Sequence, residues 1–307
     1  MPHEFDLVDV FAERRYAGNQ LAVVHDAADL STDEMLSIAR EFDFSETTFV
    51  ESTDLDGAAV RIFTPGGEIP FAGHPTLGTA AALRERADGD PGTVTLSLGA
   101  GDVPVEVVDK GGGERFWMTQ RSPSFGPTLS RERLARVLSL APDDLDDDWP
   151  VRVVSTGLPT VVVPLGDRDA LTRCAIDRDA YDDLVADAVV DDGAAENVLP
   201  FCPDPRDPAN DFAARMFAPG HGVPEDPATG SSNGCLAAYL ARHRYRGAAS
   251  IEARVEQGYE LGRPSLLHLR ARDDRGDADP GAECEEDDAV TVEVGGRVVP
   301  VATGRLR

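Results

Sequence analysis

Three ionisable residues stand where a chain could move protons: Glu46 in FSETTF, His74 in AGHPT and Asp226 in EDPATGS. Glu46 falls at a junction between a helix and a strand, with Phe42, Phe44, Phe49 and Val50 around it. Its simplest role is that of an exposed junction residue. Apolar surroundings argue for more, because partial burial raises a carboxyl pKa toward the range useful for proton transfer. A lone histidine or aspartate is commonly a cap or a hydrogen-bond partner. His74 and Asp226 gain interest from their setting: each lies at, or just before, the start of a helix whose sequence recurs elsewhere in the chain.

That recurrence is an internal repeat. RIFTPGGEIPFAGHPTLGTAAAL, from Arg61 to Leu83, runs beside RMFAPGHGVPEDPATGSSNGCLAAYL, from Arg215 to Leu240. Arg61 matches Arg215, Phe63 matches Phe217, Pro65-Gly66 matches Pro219-Gly220 and Pro70 matches Pro224, with Asp226 inside a three-residue insertion. Each copy reads as a strand, a Pro/Gly turn, and a helix of small residues opening at Gly73-His74 or Gly230-Ser231. The first turn of a helix offers unpaired N–H groups and a partial positive charge, which suits a carboxylate. Two such ends facing across a cleft would hold a carboxylate-bearing substrate, with His74 and Asp226 placed to orient it and shuttle protons.

The totals narrow the classes. A chain of 307 residues with 41% apolar content can build two domains with full cores. No run approaches membrane-spanning length, and MPHEFDLVDVF lacks a basic flank and an apolar signal core, so a cytoplasmic protein is expected. The net charge of -27, with Lys110 the sole lysine, excludes nucleic acid and anionic membranes as partners. Such an acidic coat is similar to that of proteins from salt-accumulating archaea, where screening removes self-repulsion. Cys174, Cys202, Cys235 and Cys284 are widely spaced, which predicts reduced, structural thiols. The chain has no GxxxxGK[ST], no GxGxxG opening a helix after a strand, and no metal-ligand spacing among its histidines; no cofactor and no metal are expected.

The elements that would position these residues follow in order. Phe5–Val10 and Leu21–Val24 read as strands around the Gly18-Asn19 turn, and Ser31–Glu34 is a capping box before an amphipathic helix through Phe42. Thr47–Val50 is a strand. After the first repeat come strands near Val94–Leu98, Val103–Val108 and Phe116–Met118, with Gly111–Gly113 as a hairpin tip. The Pro-marked segment Arg121–Pro127 closes this half, giving domains 1–122 and 128–296. The second half repeats the order with helices near Arg131–Leu140 and Asp177–Ala188 and strands near Val151–Ser155, Thr160–Val163 and Asn197–Cys202. Beyond its repeat come strands at Ser250–Glu256, Ser265–Arg270 and Val290–Val294, the polar run Asp273–Asp288, and a last strand within 297–307 that is expected to return and pair with the first domain.

The segments DVFAERRYAGNQLAVV, FSETTFV, FTPGGEIPFAGHPTLGTAAAL, EDPATGSSNGCLAAYL and GGRVVPVATGRL resemble the phenazine-biosynthesis isomerase (PhzF-like) family, in order and across nearly the whole chain. The resemblance implies the diaminopimelate-epimerase fold, an α/β (α+β) architecture of two similar domains related by a pseudo-two-fold. Each is a mostly antiparallel sheet curled around a central helix, with the active site between them. It implies Glu46 as general acid/base, shifting a proton and a double bond in a small hydroxy- or amino-carboxylate without metal or organic cofactor. It also implies His74 and Asp226 as its catalytic partners; Ser45, Asn19, Gly73, Gly230 and Ser231 as substrate-binding residues; and a homodimer. Gln20 departs from the family's usual proline after Gly-Asn. Racemases of this fold carry a cysteine at each helix start; here those places hold His74 and Ser231, which disfavours a two-thiol route. Two other readings stay open: a small-molecule binder without turnover, and an epimerase or dehydratase of an amino or hydroxy acid.

Overall fold

A computed structural model describes residues 2–53, 57–87, 89, 91–109, 111, 113–190, 192–274 and 290–307. The chain divides into two compact units, Met1–Thr119 with Gly295–Arg307, and Gln120–Val294. Most of the polar run read as a loop, residues 275–288, lies outside the described residues, as do Lys110, Gly112 and Cys284.

The first unit begins with β1 (Glu4–Val10) and β2 (Asn19–Val24), an antiparallel pair in which Val10 faces Asn19. Helix α1 (Thr32–Phe42) follows with the capping box in place: the Ser31 hydroxyl accepts from the Glu34 N–H, and the Glu34 carboxylate accepts from the Ser31 N–H. Its buried face, Met35 and Ala39, packs with Val24, Phe49 and Phe63. Strand β3 (Thr47–Thr53) lies parallel to β2 and antiparallel to β4 (Ala58–Thr64), which turns back as β5 (Gly67–Ile69). Helix α2 (Gly73–Arg86) then runs into the unit, and β6 (Thr93–Leu98), β7 (Gly101–Asp109) and β8 (Glu114–Thr119) form an antiparallel meander.

Helix α2 is packed against β1, β2, β3, β6, β7 and β8. It has no amphipathic stripe because nearly every face is inside, and small residues let it sink. At Gly78 a Cβ would stand 2.6 Å from Leu21 Cδ2 and 2.8 Å from Val10 Cγ2, so only glycine fits.

The second unit contains β9 (Ser124–Thr128), α3 (Arg131–Val137), β10 (Arg152–Ser155), β11 (Pro159–Pro164), α4 (Arg168–Arg173), α5 (Arg178–Asp187), a small hairpin β12 (Val189–Val190) and β13 (Gly193–Ala194), β14 (Asn197–Cys202), β15 (Phe212–Ala214), β16 (Met216–Ala218), β17 (Val223–Asp226), α6 (Gly230–Arg242), β18 (Ser250–Gln257), β19 (Ser265–Asp273) and β20 (Val290–Gly296), whose last two residues cross back into the first unit. Its pairings repeat those of the first. β10 is antiparallel to β11, β11 parallel to β14, β14 antiparallel to β16, β16 hairpins to β17, and β18 is antiparallel to β19. Every residue of α6 is buried, and it packs on β10, β11, β18 and β19. Helices α3, α4 and α5 cover another face through Leu134, Leu171, Tyr181 and Leu184.

Two features differ from the sequence reading. The Pro-marked segment supplies β9, which pairs with β10 inside the second unit, so the division falls near Thr119 rather than within 121–127. Proline and glycine are compatible with a strand at such a margin. The short helix α4 and the β12–β13 hairpin had no periodic signal to announce them.

The final strand, β21 (Val298–Arg305), belongs to the first unit and lies antiparallel to β1, from Glu4 beside Arg305 to Val10 beside Val298. The second unit is thus an insertion between β8 and β21.

The duplication extends to side chains. Arg61 forks onto Glu68, Nε to Oε1 at 2.8 Å and Nη2 to Oε2 at 2.7 Å, while Arg215 forks onto Glu225 at 2.9 and 2.8 Å. Each guanidinium also lies over the phenylalanine two residues on, Phe63 or Phe217. These pairs tie the hairpin that feeds each central helix.

Candidate active site

In the first unit the start of β2, the end of the α1–β3 connection and the start of α2 converge. β2 begins with Asn19, buried to 2% exposure, and β3 is preceded directly by Ser45 and Glu46. α2 begins with Gly73 and His74, and its N-cap, Ala72, has no side chain able to bond the first-turn N–H groups. His74 Nε2 lies 3.5 Å from Glu46 Oε2. The Asn19 carboxamide nitrogen is 3.4 Å from His74 Nδ1, and the Ser45 hydroxyl donates to Asn19 Oδ1 at 3.3 Å. Asn19, Ser45, Glu46, Gly73 and His74 are therefore brought together, with Asn19 between Ser45 and His74 and His74 between Asn19 and Glu46.

Burial pushes the His74 pKa down to about 3, opposed by a hydrogen bond with the Gln20 backbone. The ring is neutral at ordinary pH. Nε2 faces the Glu46 carboxyl and makes no hydrogen bond among the described residues. The Glu46 side chain is 17% exposed, and its Oε2 is buried. The Phe42 and Phe44 rings that flank its connection stack on one another with centroids 6.1 Å apart.

Asp226, Gly230 and Ser231 belong to the second unit and form their own cluster. Asp226 ends β17, and its carboxylate accepts the Thr229 hydroxyl through Oδ2. Thr229 is the N-cap of α6 and makes no side-chain bond to that helix. Ser231 is 7% exposed, and its carbonyl accepts from Thr156 Oγ1 at 3.3 Å. Thr229, Asn233 and Gln257, which surround Asp226, were not singled out by sequence reasoning. The signal was faint: a glutamine and glycine closing the alternating strand Ser250–Gln257.

The register shows what the duplication kept. Phe63 faces Thr47 across β4 and β3, and its counterpart Phe217 faces Val198 across β16 and β14. Glu46 therefore corresponds to Asn197, a buried amide that cannot take a proton from carbon. His74 corresponds to Ser231, and Gly78 to Cys235, whose thiol is buried and pushed up in pKa by desolvation. The position of Glu46 thus carries a carboxylate in the first copy and an amide in the second.

A family model described as phenazine biosynthesis-like protein matches residues 8–304. The chain is 33% identical to a trans-2,3-dihydro-3-hydroxyanthranilate isomerase of Pseudomonas chlororaphis, covering 99% of both chains. It is 36% identical to the enzyme of the same name from Pseudomonas aeruginosa, covering 88% of this chain and 90% of that one. Among solved structures, a phenazine biosynthesis protein of the PhzF family from Bacillus anthracis superposes with a TM-score of 0.87 at 28% identity, covering 100% of this chain and 99% of the other. A hydroxyproline epimerase from Agrobacterium vitis shares the fold, with a TM-score of 0.57 at 14% identity, 99% of this chain and 92% of that one.

Proposed function

The chain belongs to the phenazine biosynthesis-like protein family and is an isomerase, and we propose that it shifts a proton and a double bond in a small cyclic amino- or hydroxy-carboxylate, with Glu46 as the general acid/base. The observation that carries this reading is the Glu46–His74 pair at 3.5 Å beside the uncapped start of α2. Glu46 takes a proton from an activated carbon of the substrate, beside the neutral imidazole of His74. A neutral ring suits this role because it adds no positive charge that would hold Glu46 ionised. The same carboxyl returns the proton at a second carbon, so the group is regenerated in one cycle. Ser45 and the first-turn N–H groups of Gly73 and His74 supply donors where negative charge gathers during the shift.

In the second unit, Asp226 is proposed to assist the proton transfer, and Gly230 and Ser231 to bind polar groups of the substrate. The trans-2,3-dihydro-3-hydroxyanthranilate named for the two Pseudomonas relatives is the first compound to test. A two-thiol racemase is disfavoured by the buried Cys235 and by His74 and Ser231 at the helix starts.

The deciding experiment is NMR of that compound and of a panel of amino and hydroxy acids in D2O. Wild type should place deuterium on a substrate carbon and move the double bond. Glu46→Gln should bind while exchange falls by about 10³-fold or more, since general acid/base groups contribute on the order of 10²–10⁴-fold. Equal exchange by Glu46→Gln would remove Glu46 from the mechanism, and binding without exchange by wild type would mark a binder.

A further inference from the structure

We infer that Gln257, the last residue of β18, is a positioning residue for Asp226, an inference that rests on Asp226 belonging to the proposed reaction machinery. Gln257 is 1% exposed and spends its whole carboxamide on one short stretch of chain. Its Nε2 donates to the Asp226 carbonyl at 2.8 Å and lies 3.4 Å from the Thr229 hydroxyl oxygen. Its Oε1 accepts from Asn233 Nδ2 at 2.7 Å and faces the Thr229 N–H at 3.4 Å. Asn233 Nδ2 in turn donates to the Thr229 carbonyl at 3.0 Å. One side chain thereby holds both ends of the Asp226–Thr229 turn and joins them to α6.

The order of donors gives this contact a chemical consequence. A hydroxyl has one proton and two lone pairs. When the Gln257 amide occupies a lone pair of Thr229 Oγ1, the Thr229 proton is directed to Asp226 Oδ2, where the hydroxyl donates. The amide thus orients the hydroxyl, and the hydroxyl orients the carboxylate. The neighbouring backbone presses on the same turn: Gly258 has φ +75°, and a Cβ there would stand 2.5 Å from the Pro227 and Arg263 carbonyl oxygens. Asp226 is held in place by main chain and side chain before any substrate arrives, which is the arrangement a reacting or binding carboxylate requires.

The test compares wild type, Gln257→Leu, Gln257→Glu, Asp226→Asn and the double Gln257→Leu/Asp226→Asn. It uses turnover of trans-2,3-dihydro-3-hydroxyanthranilate, thermal melting, and hydrogen exchange of the Ala228–Ser231 amides. Gln257→Leu should lower kcat by about ten- to a hundredfold with KM changed far less, as misplacing a reacting group by an ångström does. In the Asp226→Asn background the same change should cost under about twofold, because it acts through Asp226. Gln257→Glu should behave as wild type while the buried carboxyl is protonated and mimics the amide, then lose kcat as pH rises and it ionises. Wild-type kcat in Gln257→Leu, or full additivity with Asp226→Asn, would overturn the inference. If wild type leaves this compound unchanged, the proposed substrate fails and exchange decides alone. Faster exchange at Ala228 and Thr229 in Gln257→Leu, with the rest of α6 unchanged, supports the clamp; unaltered exchange there overturns it. Should Gln257→Leu not fold, Gln257→Glu read on both sides of its titration answers the same question.

Discussion

His74 Nε2 faces Glu46 Oε2 across 3.5 Å, and its Nδ1 lies 3.4 Å from the Asn19 carboxamide nitrogen. Held neutral by burial, the ring can share a hydrogen bond with Glu46 but is no counter-ion to it. His74→Asn should therefore lower kcat for substrate isomerisation by about 10²-fold with little change in KM, the lower end of what a group acting on a proton in flight contributes. Steady-state kinetics on the folded variant checks this. An unchanged kcat would leave the imidazole a packing role only.

Asn19→Ala removes the link between Ser45 and His74 while leaving both in place. The expected loss is about tenfold in kcat, smaller than that of His74→Asn, because the imidazole itself stays beside Glu46. The same kinetics on the folded Asn19→Ala variant check this, and an unchanged kcat would leave Asn19 without a part in ordering the site.

The two Arg–Glu forks offer a matched comparison of burial. Arg215 and Glu225 are 9% and 11% exposed, whereas Arg61 and Glu68 are 24% and 41% exposed. Arg215 also donates to the carbonyls of Leu171, Thr172 and Cys174. Arg215→Met leaves Glu225 without its counter-charge inside the second unit and should cost about 3–5 kcal/mol in urea unfolding. Arg61→Met should cost about 1 kcal/mol or less, since water and salt screen the exposed pair.

Acid should weaken the fold before the carboxylates titrate. Burial holds His74 down to about 3 and His243 down to about 4, and lowers His25 despite its bond to Asp6, while an unfolded histidine titrates near 6.5. Between those limits the unfolded chain binds protons that the folded chain refuses, so stability is complete above about pH 6.5 and falls as pH drops toward 4. Each histidine can contribute a slope of up to ~1.4 kcal/mol per pH unit. Urea midpoints at pH 7.5, 6.5 and 5.5 should decrease in that order, and His243→Gln should flatten the trend.

Salt should act in the opposite sense. A net charge of -27 repels itself, and raising ionic strength from 0.1 M to 1 M shortens the screening length from about 10 Å to about 3 Å. The melting temperature should climb with KCl over this range. A flat or falling profile would show that local ion pairs, rather than overall repulsion, set the balance.

Much of this molecule could be read from its sequence because the repeat carries local rules in duplicate. Arg-x-Phe before a Pro/Gly turn and a run of small residues specify a strand, a hairpin and a buried helix without reference to distant chain. The Ser31–Glu34 capping box is local in the same sense. What escaped reading depends on partners far apart. Gln257 meets Asp226 across 31 residues, and nothing near either residue announces the contact. Segment 121–127 read as the boundary between domains because proline and glycine were weighed as breakers; pairing with β10 makes 124–128 a strand. The link from Asn19 to both Ser45 and His74 was equally hidden, since the sequence shows an asparagine after a glycine and cannot show what its amide meets.

The pairing of β1 with β21 sets the order in which the chain can finish folding. Arg15 bonds the Pro300 carbonyl 285 residues further on, so the first unit lacks a strand until β21 has been synthesised. The second unit is continuous and can close before β21 is made. Glu46, just before β3, waits in an open sheet until β21 arrives. Loop closure over such a span is slow, and a circular permutant joining β21 to β1 through a short linker should shorten it and speed the appearance of the native first unit.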